Sequence, residues 1–249
     1  MRLTGAMLAA AALGALASSA LLVGAIAAYV LRPGKGVVAI VMALGSGLLI
    51  GSVAYDLVED AHLALSVRAI AVWLLVGATV FVLGSRLIAR AGRSRRRGTS
   101  ADDDADPGPL PIVLGSALDG IPESLVLGMS LVHGAASVPL IVGIVLSNLP
   151  EGIAGSSGLR EKGWPAARTL GLWAVVVAVS AVAAGLGFQL TDAGDRTAMG
   201  IAQTFAAGAL LAMVVDSMIP ESYQVERYWT GLLVVAGFCG SLLLASWLG

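Results

Sequence analysis

Apolar residues in this chain come in long runs separated by short polar breaks. The runs extend from about Ala6 to Leu31, Val37 to Leu57, Ala69 to Ile88, Pro109 to Val132, Ser137 to Ser157, Arg168 to Leu190, Arg196 to Pro220 and Trp229 to Leu248. Each is close to the ~20 apolar residues that carry a helix across a bilayer. The pattern predicts an all-α integral membrane protein with eight transmembrane helices. The first run contains Ala17-Ser18-Ser19-Ala20, which resembles a signal-peptide cleavage site. The run is nevertheless too long for a signal core of about 7–15 residues, so a retained first span is expected.

Composition agrees with the pattern. Only 12% of residues are charged and 57% are hydrophobic, against roughly 25% charged in soluble domains. A mean hydropathy of +0.90 leaves a soluble chain of this length no way to hide its apolar surface. Thirty-two glycines suit close helix packing in lipid. The lone Cys239 excludes a disulfide within the chain, and a net charge of −1 gives no general attraction to nucleic acid.

The breaks set the organisation. Residues 1–89 hold spans one to three, 90–108 form a polar loop, 109–158 hold spans four and five, and 159–249 hold spans six to eight, all in one membrane domain. Arg32-Pro33-Gly34-Lys35-Gly36 reads as a turn, and Gly134-Ala135-Ala136 as a tight link. With both termini outside, the inner loops carry 12 of the 15 Lys and Arg residues, and Arg2, Arg68 and Arg196 lie outside. That bias places the arginine-rich loop 90–108 in the cytoplasm of a cell carrying the protein in its plasma or inner membrane. Its five arginines, followed by Asp102, Asp103, Asp104 and Asp106, predict a solvated loop.

Three boxes break the apolar pattern from within. They are Asp119-Gly120-Ile121-Pro122-Glu123-Ser124, Ser147-Asn148-Leu149-Pro150-Glu151-Gly152 and Asp216-Ser217-Met218-Ile219-Pro220-Glu221. Asp119 and Glu123 are four residues apart and share a helix face, as do Ser147 and Glu151. At 1.5 Å per residue, Asp119 lies ~15 Å from the inner end of span four and Ser147 ~15 Å from the outer end of span five. Adjacent antiparallel spans therefore bring the two boxes together near mid-bilayer. An acid there costs roughly 2.5–3.5 kcal/mol on insertion scales, so the group calls for a cation, a proton or mutual compensation. Each proline also removes a helix hydrogen bond and frees the carbonyl four residues before it, at Leu118, Leu146 and Asp216. Carbonyls beside carboxylates are hard oxygen ligands for divalent cations. The bland alternative is proline-kinked packing with protonated acids as interhelical glue.

These residues resemble the ZIP family of divalent metal transporters. Its fourth and fifth spans typically read His-Asn-x-Pro-Glu-Gly, and its seventh Asp-Glu-Leu-Ile-Pro-Glu. The end of span two, Asp56-Leu57-Val58-Glu59-Asp60-Ala61, loosely fits the family's His-Leu-Leu-Pro-Glu-Ala. The eight-span layout, the outside termini and the long loop after span three also match. The resemblance implies metal ligands at Glu123, Asn148 and Glu151. Asp119 and Ser147 stand where the family usually has histidine, Gly120 replaces an asparagine, and span six lacks the usual glutamate. It further implies a homodimer and alternating access, with spans one, four, five and six moving against the rest.

Around the boxes, Asp56, Glu59, Asp60 and His62 form a candidate entrance funnel, with a solvated helix end as the plain alternative. Glu221 and Glu226 are candidates for an exit. His133 reads as interfacial, Asp192 and Asp195 as an outer turn, and Trp164, Tyr228 and Trp229 as interfacial anchors. The reading is a non-enzymatic carrier of divalent metal ions (zinc, manganese, iron or similar) into the cytoplasm. Asp119, Glu123, Ser147, Asn148 and Glu151 hold the ion, Asp216 assists, and no cofactor is needed beyond the transported ion. The alternatives are a ZIP-like sensor or scaffold that does not transport, and a proton-coupled carrier of another solute. An intramembrane metalloenzyme would want a His-Glu-x-x-His motif, which is lacking.

Overall fold

The computed structural model describes residues 2–97, 110–131, 138–192 and 196–248. His133, the Gly134-Ala135-Ala136 link, Asp195 and the acidic half of loop 90–108 lie outside these.

The described residues form eleven α-helices and two π segments: α1 Arg2–Ser18, α2 Ala20–Val30, α3 Lys35–Ser52, a first π segment Val53–Val58, α4 Glu59–His62, α5 Val67–Arg97, α6 Leu110–Ser130, α7 Val138–Glu161, α8 Ala166–Asp192, α9 Arg196–Met213, a second π segment Val214–Met218, α10 Ile219–Glu226 and α11 Thr230–Leu248. Seven of the resulting continuous helices are long and apolar enough to cross a membrane: Gly5–Val30, Lys35–His62, Val67–Arg90, Val138–Glu161, Ala166–Leu190, Arg196–Glu226 and Thr230–Trp247. The protein is thus a multi-pass helical membrane protein. Helix α6, which carries Asp119, Pro122 and Glu123, stands outside that set of seven.

Several expected boundaries move. Helix α5 continues to Arg97 instead of ending at Ile88, since arginine and alanine are good helix formers. The second span continues past Leu57 to His62, and the seventh past Pro220 to Glu226. A π segment lies in each of these two spans. Pro220 sits at the start of α10, directly after the wider π turn, where its missing N–H is tolerated. Pro122 and Pro150 lie inside α6 and α7, and both helices run on beyond them.

Small residues decide which helices touch. A Cβ on Gly47 of α3 would collide with the Val234 carbonyl of α11, and one on Gly237 with the Leu44 carbonyl of α3. The same reciprocal contact joins α6 to α8 through Gly128 and Gly187, α2 to α7 through Gly24 and Gly152, and α5 to α9 through Gly77 and Gly208. Bare backbone at these positions lets two helices approach until Cα hydrogens meet carbonyls.

Register gives direction. Along α3 and α11, Leu44 pairs with Gly237 and Leu48 with Gly240, so residue numbers rise together and the helices are parallel. Between α3 and α7, Gly45 meets Leu146 while Gly143 meets Leu49, so those helices are antiparallel. The Leu146 carbonyl, released by Pro150, therefore abuts Gly45 of α3.

At the ends of α2 and α7 a polar clamp closes the bundle. Arg160 donates to the Ala28 carbonyl, and the Tyr29 hydroxyl donates to the Trp164 carbonyl over 2.8 Å. Trp164 also carries the Arg168 guanidinium 4.0 Å above its ring, so it clamps protein groups in addition to any anchoring role.

Candidate metal-ion chamber

Helices α6 and α7 build the chamber. Ser116, Asp119 and Glu123 recur at i, i+3 and i+7 on α6, one stripe of the helix. Ser147, Asn148 and Glu151 occupy i, i+1 and i+4 on α7. Glu123 is only 2% exposed, and the Ser147 hydroxyl lies 3.0 Å from its Oε1. Nearer the start of α6, the Ser116 hydroxyl bonds the Glu151 carboxylate. The two bonds run in opposite senses, Glu123 with Ser147 and Ser116 with Glu151, as antiparallel neighbours require.

The acids lie within electrostatic reach of one another. Glu151 acts on both Asp119 and Glu123, Asp119 acts on Glu123, and Glu221 acts on Glu151. The Ser147 hydroxyl also contacts the Ile144 carbonyl at 2.9 Å. A hydroxyl has one proton, so it serves one of these two acceptors at a time. Asn148 is 2% exposed and its Nδ2 has no partner among the described residues, an arrangement that costs about 1–3 kcal/mol where nothing answers it.

The two sides of the chamber differ. Towards the end of α6 and the start of α7 lies an apolar plug that includes Leu49, Val53, Leu127, Leu140, Ile144 and Met213. On the other side a cavity of about 470 Å³ opens between α3, α7 and α10, lined among others by Met42, Ile153, Ser157 and Glu221. Ile153 and Ala154 of that wall lie within one turn of Glu151.

The remaining sequence candidates spread out. Asp216 is exposed on the second π segment and is not among the charges acting on the three chamber acids. Asp56 and Asp60 are part of the first π segment and α4, where Glu59 and His62 are exposed. Among the described residues, no three His, Cys, Asp or Glu side chains converge as a ready metal cluster. Sequence reasoning missed Ser116, although its spacing of three and seven from Asp119 and Glu123 was there to be read.

No protein-family model matches the sequence, and no curated protein matches it.

Proposed function

We propose that the protein carries divalent metal ions, such as zinc, manganese or iron, into the cytoplasm through the α6–α7 chamber, as its resemblance to ZIP transporters implies. The observation that carries this reading is Glu123, a buried acid bonded across the helix pair to Ser147 and within reach of Glu151. Buried acids grouped mid-helix are costly in a membrane, and a doubly charged guest offsets that cost. Glu123, Glu151 and Asp119 supply charge, and Ser147 and Asn148 supply neutral donors. The unpartnered amide of Asn148 can turn its oxygen to an arriving cation, because amide oxygen and nitrogen exchange places by a half-rotation.

Eight crossings fit the packing better than seven. Leu21 meets Gly152 and Ala28 meets Arg160, so α2 and α7 run parallel, which supports an odd number of passes between the first and fifth spans, with α6 as one of three. With loop 90–108 in the cytoplasm, the cavity lined by Glu221 opens inward and the apolar plug faces out. This is the arrangement of an inward-open carrier. Metal arriving past Asp56, Glu59, Asp60 and His62 leaves past Glu221. Asp216, exposed on the second π segment, stands apart from the chamber acids. The reciprocal glycine contacts pair the first span with the fifth and the fourth with the sixth, while Gly45 and Gly143 also join the fifth span to the second; movement of spans one, four, five and six against the rest follows from the resemblance alone. A homodimer follows from the resemblance.

A second reading is a ZIP-like sensor or scaffold without transport, favoured by the absence of three convergent metal-binding side chains among the described residues. Uptake by liposomes containing the full chain separates the two. Glu123→Ala and Glu151→Ala should each abolish uptake while the protein still inserts. Unchanged uptake in both variants would end the assignment.

A further inference from the structure

We infer that the chamber is built for a hard, oxygen-seeking divalent cation of the manganese class, and that it does not prefer zinc; this rests on the carrier reading above. The inference comes from the donor atoms at the meeting point of α6, α7 and α8.

The polar side chains that meet in the chamber, Asp119, Glu123, Ser147, Asn148 and Glu151, all offer oxygen donors. Glu123 and Glu151 provide carboxylates, each bonded by a serine hydroxyl, and Asn148 provides an amide without a partner for its nitrogen. The third wall belongs to α8, whose residues from Ala166 to Thr191 include no acid, histidine or cysteine. At the level of the chamber that wall presents Ser180. Its Oγ lies 3.2 Å from where a Cβ on Gly120 would stand, so the absent side chain at Gly120 brings a third hydroxyl against the backbone beside Asp119. Ser180 is buried. The chain's two histidines are His62 and His133, and its cysteine is Cys239. None belongs to α6, α7 or α8.

Ligand type decides selectivity among divalent ions where raw affinity does not. Imidazole and thiolate favour zinc, while carboxylate, carbonyl and water suit magnesium and manganese in six-coordinate geometry. A chamber of carboxylates, amide and hydroxyls removes the nitrogen advantage of zinc. Asp119, Glu123 and Glu151 supply the chamber's charge, and α8 from Ala166 to Thr191 offers no acid to add to it.

The test is Mn²⁺ uptake into liposomes containing the full chain, with and without an equal concentration of Zn²⁺. The expected result is that Mn²⁺ is carried and that zinc lowers its flux by no more than about twofold. Ser147→His, which places a nitrogen beside Glu123, should make zinc at least about tenfold more competitive. Mn²⁺ binding to the wild-type protein in detergent, followed by the paramagnetic signal of the ion with zinc as competitor, gives the same ranking even if the histidine variant fails to fold. Zinc uptake more than about tenfold faster than manganese uptake would overturn the hard-ion inference and leave the carrier reading intact. Uptake of neither ion would overturn both.

Discussion

Ser147 of α7 stands 3.0 Å from the Glu123 carboxylate of α6, inside the helix pair and away from bulk water. This contact ties the two proline boxes into one unit. A carboxyl group at 2% exposure has few alternatives when its partner leaves.

Ser147→Ala should therefore cost about 1–3 kcal/mol, the range for orphaning a buried polar group. A lowered unfolding midpoint in detergent is the measurement. Ser116→Ala should act in the same direction through Glu151, and a midpoint unmoved in both would remove the hydroxyls from the account.

Helix approach makes a sharper prediction. Gly47→Val would drive a side chain into the Val234 backbone, which has no soft end to yield. The variant should fail to give a monodisperse peak on size-exclusion chromatography. Gly171→Ala, where an added Cβ meets nothing within 4 Å, should behave as wild type. Equal behaviour of the two would refute the reciprocal glycine packing.

Access to the chamber should be one-sided. Ser157 lines the cavity, so in a Cys239→Ala background Ser157→Cys should react with a membrane-impermeant maleimide applied from the cytoplasmic face. Ile144→Cys, at a position 1% exposed within the plug, should stay unmodified. Labelling of the Ser157→Cys variant from the outer face alone would reverse the proposed orientation.

Protons and metal compete for the same carboxylate oxygens, so acidification should weaken cation binding. Affinity should fall by about tenfold per pH unit for each proton displaced. Calorimetry of Mn²⁺ binding in two buffers of different ionisation enthalpy would count those protons. A pH-independent affinity would mean that the acids do not bind the ion.

Glu221 lines the cavity and acts on Glu151. Glu221→Gln should slow uptake several-fold while leaving equilibrium binding in detergent nearly unchanged. A matched loss of binding would place Glu221 in the chamber itself.

Much of this protein was legible in its sequence, because lipid imposes strict rules on a chain. A hydrocarbon environment demands long apolar helices and makes each internal acid conspicuous, so the spans and the first two boxes stood out. The meeting of Glu123 with Ser147 followed from the depth of the boxes on antiparallel neighbours. Other features depended on contacts between distant segments. Whether Asp216 faces the chamber was set by a π turn that local pattern does not announce. The role of Ser116 depended on Glu151 lying opposite, the nearness of Ser180 on a missing side chain at Gly120, and the cavity on how α3, α7 and α10 splay. Apolar periodicity determines that helices form and which residues are costly to bury. Which backbone meets which, and therefore which side of the chamber is closed, was decided by small residues whose partners lie far away along the chain.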